Sequence, residues 1–318
     1  MTETAQTVLE KYQVRKTKKQ KSSFIDYVQH TAAAQGYECH TEPGYFGARN
    51  IVVGDPDQAR VIYTAHYDTC ARLPFPNFIT PKNIGIYLLY QIALTVILLG
   101  IPTLLTVGIA ALLSLTAVSE SLRFLILYYG WLLFVLVEMG LVMAGPANPH
   151  TVNDNTSGVT TLLDIMQTLP ADLRGHVAFI FFDLEEMGLF GSAGYASKHK
   201  SIRKNTLLLN FDCVSDGDTI LFALRTGAKK YASAIESAFQ DTDILHADVV
   251  SKGVFYPSDQ ANFTRGVGVA ALKKGKRGLL YMDRIHTKRD TVYQEENIAY
   301  LTDGAVKLAQ SLAPKSDE

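Results

Sequence analysis

Two kinds of hydrophobic pattern divide this chain of 318 residues. In its first and last parts, short runs of β-branched and aromatic residues alternate with segments whose apolar positions have helical spacing. In its middle, residues 84–118 contain no Asp, Glu, Lys or Arg in 35 positions. The pattern predicts an α/β body that is interrupted by a strongly apolar segment.

The alternation of strands and helices indicates a mixed, largely parallel twisted sheet that is flanked by helices. Helical spacing occurs in SSFIDYVQHTAAAQ, GVTTLLDIMQTL, KKYASAIESAFQ and NIAYLTDGAVKLAQSL. Strands are predicted in RVIYTA, HVAFIFFDL, NTLLLNFDCV, VGVAALKK and GLLYMD. These elements fall on both sides of the apolar segment, so one body is expected to contain both parts.

The apolar segment is predicted to cross a membrane as a two-helix hairpin. Residues 84–118 are followed by a second apolar run, 124–145, which only Glu138 interrupts. An apolar run longer than about 18 residues is typical of a membrane span. A buried core hairpin is the alternative, but two such runs exceed what one domain of this size would hide. The turn is expected near Val118–Arg123, and Pro102 is expected to kink one long first helix.

Composition limits the classes of partner and the compartment. The chain has 30 Lys+Arg and 31 Asp+Glu, a formal charge of -1, which gives no general electrostatic footprint for nucleic acid. The chain has three widely spaced cysteines, Cys39, Cys70 and Cys213. An odd number at such spacing indicates free thiols in a reducing compartment. The first residues lack the apolar core of a signal peptide.

A basic run, residues 15–21, carries five positive side chains in seven positions. The sequence favours a solvated helix face for this run over a specific binding site, with a weaker role near anionic lipid as the alternative. By the positive-inside rule, the catalytic part of a cell-membrane protein with this run is expected on the cytoplasmic side.

Acidic and imidazole side chains recur where the predicted strands end. His66 and Asp68 follow the strand RVIYTA, Asp212 ends NTLLLNFD, and other members of the set are Asp154, Glu185, Glu186 and His286. Open α/β sheets form their binding crevice at the carboxyl ends of their strands. Imidazole and carboxylate groups together suit Zn²⁺, and one carboxylate can bridge two metal ions.

Five motifs that carry these residues occur in a fixed order: H-x-D, D-N-x-S-G, E-E-x-G-L-x-G-S, N-x-D and H-T-x-x-D-T. This order resembles the co-catalytic dizinc aminopeptidases of clan MH, the aminopeptidase Y family (peptidase family M28). The resemblance covers about residues 50–310 apart from the apolar segment. It implies a zinc-dependent exopeptidase fold, peptide substrates and two Zn²⁺ ions per chain.

The resemblance also implies roles for individual residues. His66 and Asp212 would bind one zinc, Glu186 and His286 the other, and Asp154 would bridge them. Asp68 would accept the imidazole N–H of His66. Glu185 would be the general base that passes a proton from the attacking water to the leaving amine. Tyr256 is a candidate donor to the oxyanion and Gln260 a candidate substrate contact.

The chain departs from the family pattern at two places. It has Gln260 where the family commonly has histidine, and 85 residues separate Asp68 from Asp154 instead of a short loop. Because ligands lie before and after the apolar segment, the chain must return to the side of the membrane that it left. We therefore expect an even number of crossings and three parts: residues 1–73 and 150–318 as the peptidase domain, and 74–149 as the inserted transmembrane hairpin.

Two other functions remain open from the sequence. A glutaminyl cyclase could use the same fold with one zinc, although the complete set of ligands for two metals disfavours it. A non-catalytic membrane receptor or scaffold is the other alternative, and the presence of all five ligands disfavours that too.

Overall fold

The computed structural model describes residues 1–314, which form nine α-helices and one nine-stranded sheet. The helices are α1 (Glu3–Lys11), α2 (Lys18–Ala34), α3 (Ile84–Ser114), α4 (Glu120–Ala144), α5 (Gly158–Thr168), α6 (Phe190–Lys198), α7 (Lys200–Asn205), α8 (Ala232–Ala238) and α9 (Glu295–Leu312). The strands are β1 (Cys39–Pro43), β2 (Arg49–Val53), β3 (Val61–His66), β4 (Val177–Phe182), β5 (Leu207–Phe211), β6 (Thr219–Leu224), β7 (His246–Val250), β8 (Gly266–Lys274) and β9 (Leu280–Tyr281).

The sheet is mixed and has a parallel centre. Its order is β1-β2-β4-β3-β5-β8-β6-β7, with β9 beside β8. Strands β4, β3, β5 and β8 run parallel, whereas β1, β2 and β6 pair antiparallel with their inner neighbours. The parallel strands therefore end at one edge, as the sequence predicted for an α/β fold.

Alternating side chains of the central strands fill two separate layers. In β4, Phe179 and Phe181 pack with the helices α2, α5, α8 and α9, while Ile180 and Phe182 face α6 and α7. All six residues of β4 are buried, which explains why its sequence is apolar at consecutive positions. The helices cover both faces of the sheet, and the body is a three-layer α/β structure.

The apolar segment forms an antiparallel pair of helices, here called the hairpin, which consists of α3, α4 and the connection between them. The remaining described residues, 1–83 and 145–314, are here called the body. Both hairpin helices are long and apolar enough to cross a membrane, and their apolar side chains are largely exposed. The indole N–H of Trp131 donates to the Thr103 hydroxyl across the pair, at 3.2 Å.

Two details of the predicted hairpin are confirmed, because there are two helices and Pro102 lies inside the first. The predicted turn is displaced: the connection is Leu115–Ser119, and Glu120–Arg123 form the first turn of α4, which the Ser119 side chain caps. Pro102 has no N–H, so the carbonyl of Leu98 lacks its helical donor. The Thr103 hydroxyl donates to the next carbonyl, that of Leu99.

The hairpin leaves the body and returns to it at neighbouring points. Ala71 and Ala147 form an antiparallel bridge, and the Arg72 N–H donates to the Pro146 carbonyl at 2.9 Å. The predicted domain boundaries, at 73/74 and 149/150, lie just beyond this closure and stay predictions; residues 315–318 of the last predicted part lie outside the described residues.

Local predictions differ from the structure in two places. The run GLLYMD forms only the two-residue strand β9, because its first two residues lie in a turn before the strand and its last two enter the loop that carries His286. Strands β6 and β7 were not predicted, since their short sequences TILFAL and HADVV lack clear alternation.

Candidate metal centre

The predicted site residues meet at the carboxyl edge of three neighbouring strands. His66 is the last residue of β3, Asp212 directly follows β5, and Glu185 and Glu186 follow β4 within four residues. Asp154 comes from the turn before α5, and His286 from the loop after β9. The sheet order β4-β3-β5 therefore accounts for the convergence, because these strands are adjacent and parallel.

Asp154 lies between the two histidines and presents one carboxylate oxygen to each. Its Oδ1 is 3.3 Å from His66 Nε2, and its Oδ2 is 3.1 Å from His286 Nε2. The Asp212 carboxylate is 3.5 Å from His66 Nε2, and the Glu186 carboxylate is 3.4 Å from His286 Nε2. Two groups of nitrogen and oxygen atoms thus share one carboxylate, as in a dinuclear metal site.

The Asp68 carboxylate organises the turn that carries the two glutamates. Its oxygens accept the backbone N–H groups of Glu185, at 3.1 Å, and Glu186, at 3.3 Å. Nδ1 of His66 lies 3.1 Å from the main-chain carbonyl of Asp68 but 3.7 Å from its carboxylate. The main-chain carbonyl of Asp68 therefore holds the His66 ring, whereas the sequence had suggested that the Asp68 side chain does so. The Asp68 carboxylate instead positions Glu185 and Glu186.

Burial favours the protonated form of the two glutamates at this site. Burial, followed by repulsion from Asp154, raises the pKa of Glu186 to about 8. Burial likewise raises the pKa of Glu185 well above its usual range. Burial also opposes ionisation of Asp154, but contacts with His286 and His66 outweigh it and lower the pKa of that carboxyl. Divalent cations would replace these protons and neutralise the crowded charges.

Two buried atoms of the site have unused ligand capacity. Within residues 1–314, neither Nε2 of His66 nor Oε1 of Glu186 makes a hydrogen bond. A buried polar atom without a partner is costly, and a metal ion would satisfy both atoms. His66, Asp154 and Asp212 present ligand atoms within 4.8 Å of one another, and so do Asp154, Glu186 and His286. The residues present therefore fit two divalent cations of the zinc type.

Glu185 lies beside the centre without belonging to either of these groups of three. One of its carboxylate oxygens is within 4.8 Å of ligand atoms of His66 and Glu186. The main-chain carbonyl of Glu185 accepts N–H groups from Gly188 and Leu189, so the turn is closed behind it. This placement leaves the carboxylate available for proton transfer beside the metal positions.

Two side chains of the basic run are buried beneath the centre, which corrects the interpretation of that run as a solvated face. Arg15 donates to the Tyr67 carbonyl, between His66 and Asp68, and to the Thr156 hydroxyl at 3.1 Å. Lys21 forms a buried ion pair with Asp183, two residues before Glu185. Burial lowers the pKa of Arg15 to about 10, so its guanidinium stays charged at neutral pH. Of the five positive side chains of this run, only those of Lys18 and Lys19 are exposed.

The two candidate substrate-binding residues, Tyr256 and Gln260, lie on different sides of one loop. Tyr256 lines the cleft in front of the centre, and its hydroxyl donates to the Asp212 carbonyl at 2.9 Å. Gln260 is buried, accepts from the Asn210 amide and donates to the Tyr256 carbonyl. Its polar atoms are thus used inside the protein, and its role as a substrate contact stays a prediction that this geometry does not favour.

Three residues near the centre were given no role by sequence reasoning. Asp290, in the H-T-x-x-D-T motif, accepts the backbone N–H groups of Asn153 and Asp154 and so fixes the bridging turn. Asp259 is buried, and its carboxylate makes no hydrogen bond within residues 1–314. Cys70 lies beside the ligands Asp154, Glu186 and His286. The H-T-x-x-D-T motif contained a signal for Asp290, whereas none of the five motifs includes Asp259 or Cys70.

A cleft of about 400 Å³ opens in front of the centre. Its walls include Met187 and Leu189 from the glutamate turn, Ile285 from the loop of His286, and Ile79 from the segment before the hairpin. Met143, in the last turn of α4, also lines it. The cleft therefore has polar ligand atoms at its base, mostly apolar walls, and one wall that belongs to the hairpin.

The fold and this centre define a class of protein: an α/β protein with a candidate dinuclear metal centre at the carboxyl edge of a mixed, largely parallel sheet. The sequence profile of peptidase family M28 matches residues 140–308, more than half of the chain. The chain belongs to peptidase family M28. No curated protein matches it at a significant level.

Solved structures of low sequence identity share the fold. The glutaminyl cyclase of Porphyromonas gingivalis is 16% identical, with a TM-score of 0.55 and 98% of each chain covered. A leucine aminopeptidase precursor of Bacteroides thetaiotaomicron is 13% identical, with a TM-score of 0.52. The match covers 96% of the present chain and 94% of the precursor's chain. The LapA aminopeptidase of Legionella pneumophila is 14% identical, with a TM-score of 0.53. The match covers 99% of the present chain and 69% of the LapA chain.

Proposed function

We propose that this protein is a dizinc aminopeptidase that removes N-terminal residues from peptides. The observation that carries the proposal is the position of Asp154, whose two oxygens face the imidazoles of His66 and His286 at 3.3 and 3.1 Å. Each imidazole has a further carboxylate at about the same distance, from Asp212 and Glu186. The donor set therefore fits two cations that share one bridging carboxylate.

Two bound Zn²⁺ ions would supply Lewis acidity, which lowers the pKa of a water molecule and polarises the scissile carbonyl. The protein's own part is proton transfer and orientation. Glu185 takes the proton of the attacking water and delivers it to the leaving amine. Asp68 holds the Glu185 and Glu186 amides, and Asp290 holds the turn of Asp154, so that the reacting groups stay in place.

The cleft supports an apolar N-terminal residue as the preferred substrate group. Ile79, Met143, Met187 and Leu189 contribute to its walls, and no Lys or Arg is among the described residues that line it. An apolar side chain would be desolvated by these walls while its amide reaches the ligand atoms at the base.

A glutaminyl cyclase remains the second candidate, because the Porphyromonas gingivalis cyclase matches this fold over 98% of both chains. The two functions predict different products from the same protein. A peptidase adds water and releases a free amino acid, whereas a cyclase releases ammonia and leaves a pyroglutamyl terminus.

The decisive experiment offers the zinc-loaded, detergent-solubilised protein two peptides that differ only in an N-terminal leucine or glutamine. Mass spectrometry should show release of the N-terminal leucine, and the Glu185→Gln variant should release it far more slowly. Loss of ammonia from the glutamine peptide without release of any residue would overturn the aminopeptidase proposal in favour of the cyclase. No reaction with either peptide, with zinc bound, would favour a non-catalytic receptor.

We also propose that the hairpin anchors the enzyme in a membrane. At about 1.5 Å per residue, the 31 residues of α3 and 25 of α4 extend roughly 46 and 38 Å, more than the roughly 30 Å of a hydrocarbon core. Leu104 and Leu133 are among the large apolar side chains that both helices leave exposed. Glu138 lies in the last two turns of α4, toward the body, where a carboxylate is least costly.

The charges at the base of the hairpin support a cytoplasmic body. Lys82 directly precedes α3, and the Lys16 ammonium donates to the Met143 carbonyl at the end of α4, at 3.2 Å. Lys18 and Lys19 are exposed nearby in sequence. The positive-inside rule places such an end of a hairpin in the cytoplasm.

Reporter fusions after Glu120 and after His150 test this topology. The fusion after Glu120 should report the outer side and the fusion after His150 the cytoplasmic side. The same side for both fusions would contradict the hairpin, and exchanged sides would contradict the orientation alone.

A further inference from the structure

Cys70 lies at the candidate metal centre, although none of the five motifs includes it. It is two residues after Asp68, in the segment between β3 and the hairpin, and its side chain is buried. Its Sγ is within 4.8 Å of ligand atoms of Asp154, Glu186 and His286, which are in turn within 4.8 Å of one another. Four possible donor atoms from four residues therefore lie within 4.8 Å of one another.

The buried glutamate of this group has an unused ligand atom. The Glu186 side chain is 7% exposed, and its Oε1 has no hydrogen-bond partner within residues 1–314. The other oxygen, Oε2, lies 3.4 Å from His286 Nε2. A cation at the centre of the four donors would give Oε1 the partner that it lacks.

The Cys70 sulfur is also oriented by a neighbouring amide. The Asn148 side-chain N–H is directed at Sγ from 3.9 Å and donates to the Thr287 carbonyl at 3.0 Å. The Asn148 backbone N–H donates to the Cys70 carbonyl at 3.2 Å. Asn148 thus joins the loop of Cys70 to the loop of His286, as outer partners of metal ligands do.

We propose that Cys70 is a fourth protein ligand of the metal ion that Glu186, His286 and Asp154 hold. The inference rests on the proposed function only in that the centre binds divalent cations. One sulfur, one imidazole nitrogen and two carboxylate oxygens form a donor set that Zn²⁺ and Co²⁺ accept in tetrahedral geometry. A thiolate would also bring the anionic ligands Asp154, Glu186, Asp212 and Cys70 to four, equal to the charge of two divalent cations.

The two halves of the centre then differ in chemistry. The half with His66 and Asp212 has nitrogen and oxygen donors only, whereas the half with His286 and Glu186 contains sulfur. Thiolate selects Zn²⁺ over the oxygen-preferring Mn²⁺ and Mg²⁺. Burial, followed by repulsion from Glu186, raises the pKa of the Cys70 thiol, so a cation must displace its proton on binding. The sulfur-containing half should retain its metal longer during chelation.

Cobalt substitution tests the inference on the full-length protein in detergent. The protein loaded with two Co²⁺ should show a near-ultraviolet charge-transfer band from thiolate to metal. Cys70→Ser should abolish the band and weaken binding of one of the two metals by more than the about 10–100-fold that loss of an outer partner costs. Cys39→Ser, a change of the same kind far from the centre, should keep the band and both metals.

Cys213 provides the sharpest control, because its Sγ lies 3.1 Å from the Asp212 carboxylate in the other half. Cys213→Ser should keep the band if Cys70 supplies the thiolate. A band that survives in Cys70→Ser and disappears in Cys213→Ser would overturn the inference.

X-ray absorption of the zinc-loaded wild-type protein gives a test that needs no variant. It should show one sulfur neighbour per two zinc ions, at about 2.3 Å. Two bound zinc ions with no sulfur neighbour would overturn the role of Cys70 and leave the dinuclear centre intact. A protein that binds no divalent metal would overturn both proposals.

Discussion

The body and the hairpin treat apolar and charged side chains in opposite ways. In the body, apolar residues such as Phe179 and Phe181 are fully buried, and buried charges collect at the strand ends around Asp154. In the hairpin, apolar residues such as Leu104 are exposed, and Pro102 is the one buried residue of α3. Hydrophobicity alone therefore does not define a core, because apolar side chains are buried in the body and exposed in the hairpin.

The difference extends to what each region contributes to the site. The body supplies the candidate metal ligands, the proposed base Glu185, and the buried side chains of Arg15 and Lys21 beside them. The hairpin supplies Met143 to one wall of the cleft. A change in the body should therefore alter chemistry or folding, whereas a change on the outer surface of the hairpin should alter membrane insertion and leave the chemistry intact.

The largest effect is expected from Glu185→Gln. The amide cannot relay a proton, so turnover should fall by about 10²–10⁴-fold while both metals and the fold remain. Metal analysis and peptide turnover on one preparation measure the two properties together. Glu186→Gln is the matched control, because the same change one residue later should remove a metal ligand. Near-normal turnover of metal-loaded Glu185→Gln would disprove its assignment as the base.

Arg15→Met should produce the next largest effect. The change removes a buried cation near Asp68 and Asp154 and leaves the Tyr67 carbonyl without this donor, so the free energy of unfolding should fall by about 3–5 kcal/mol. Thermal unfolding in detergent measures it. Lys19→Met, in the same basic run but exposed, should change stability by less than about 0.5 kcal/mol. Equal effects of the two variants would restore the interpretation of the run as a solvated face.

A charge on the outside of the hairpin should have a smaller effect, and of a different kind. Leu104 is 74% exposed, and arginine there should oppose insertion by about 2.5–3.5 kcal/mol if the surface faces lipid. The fraction of protein recovered in membranes measures this cost. Ile244→Arg, at an exposed apolar position of the body, should leave the fraction unchanged. Equal membrane recovery of Leu104→Arg and wild type would argue that α3 does not face lipid.

The predictability of each region depends on how local its cause is. The central strands, α5, α9 and the hairpin have strong periodic or continuous apolar patterns, and the sequence predicted them. The meeting of the candidate ligands could be predicted because their motifs are local and come at the ends of neighbouring strands. Cys70 and Arg15 could not, because each contacts residues that are distant in sequence: Arg15 contacts Thr156, and Cys70 lies beside His286.

The basic run illustrates why charge patterns mislead at such sites. A buried lysine or arginine is rare unless it has partners, so a cluster of five positive side chains indicates a solvated surface. Here Asp183 and the strand-end carbonyls supply those partners, and they come from elements far away in the sequence. The functional centre is thus the place where local sequence rules fail, since its charges are stabilised by one another.

The most direct test of the central claim is the metal content of the wild-type protein and of Asp154→Asn after dialysis against limiting free zinc. A single dinuclear centre bridged by Asp154 predicts two zinc ions per wild-type chain and weakened binding of both in the variant. A wild-type chain that holds one zinc, or a variant that loses only one of two, would contradict the bridge.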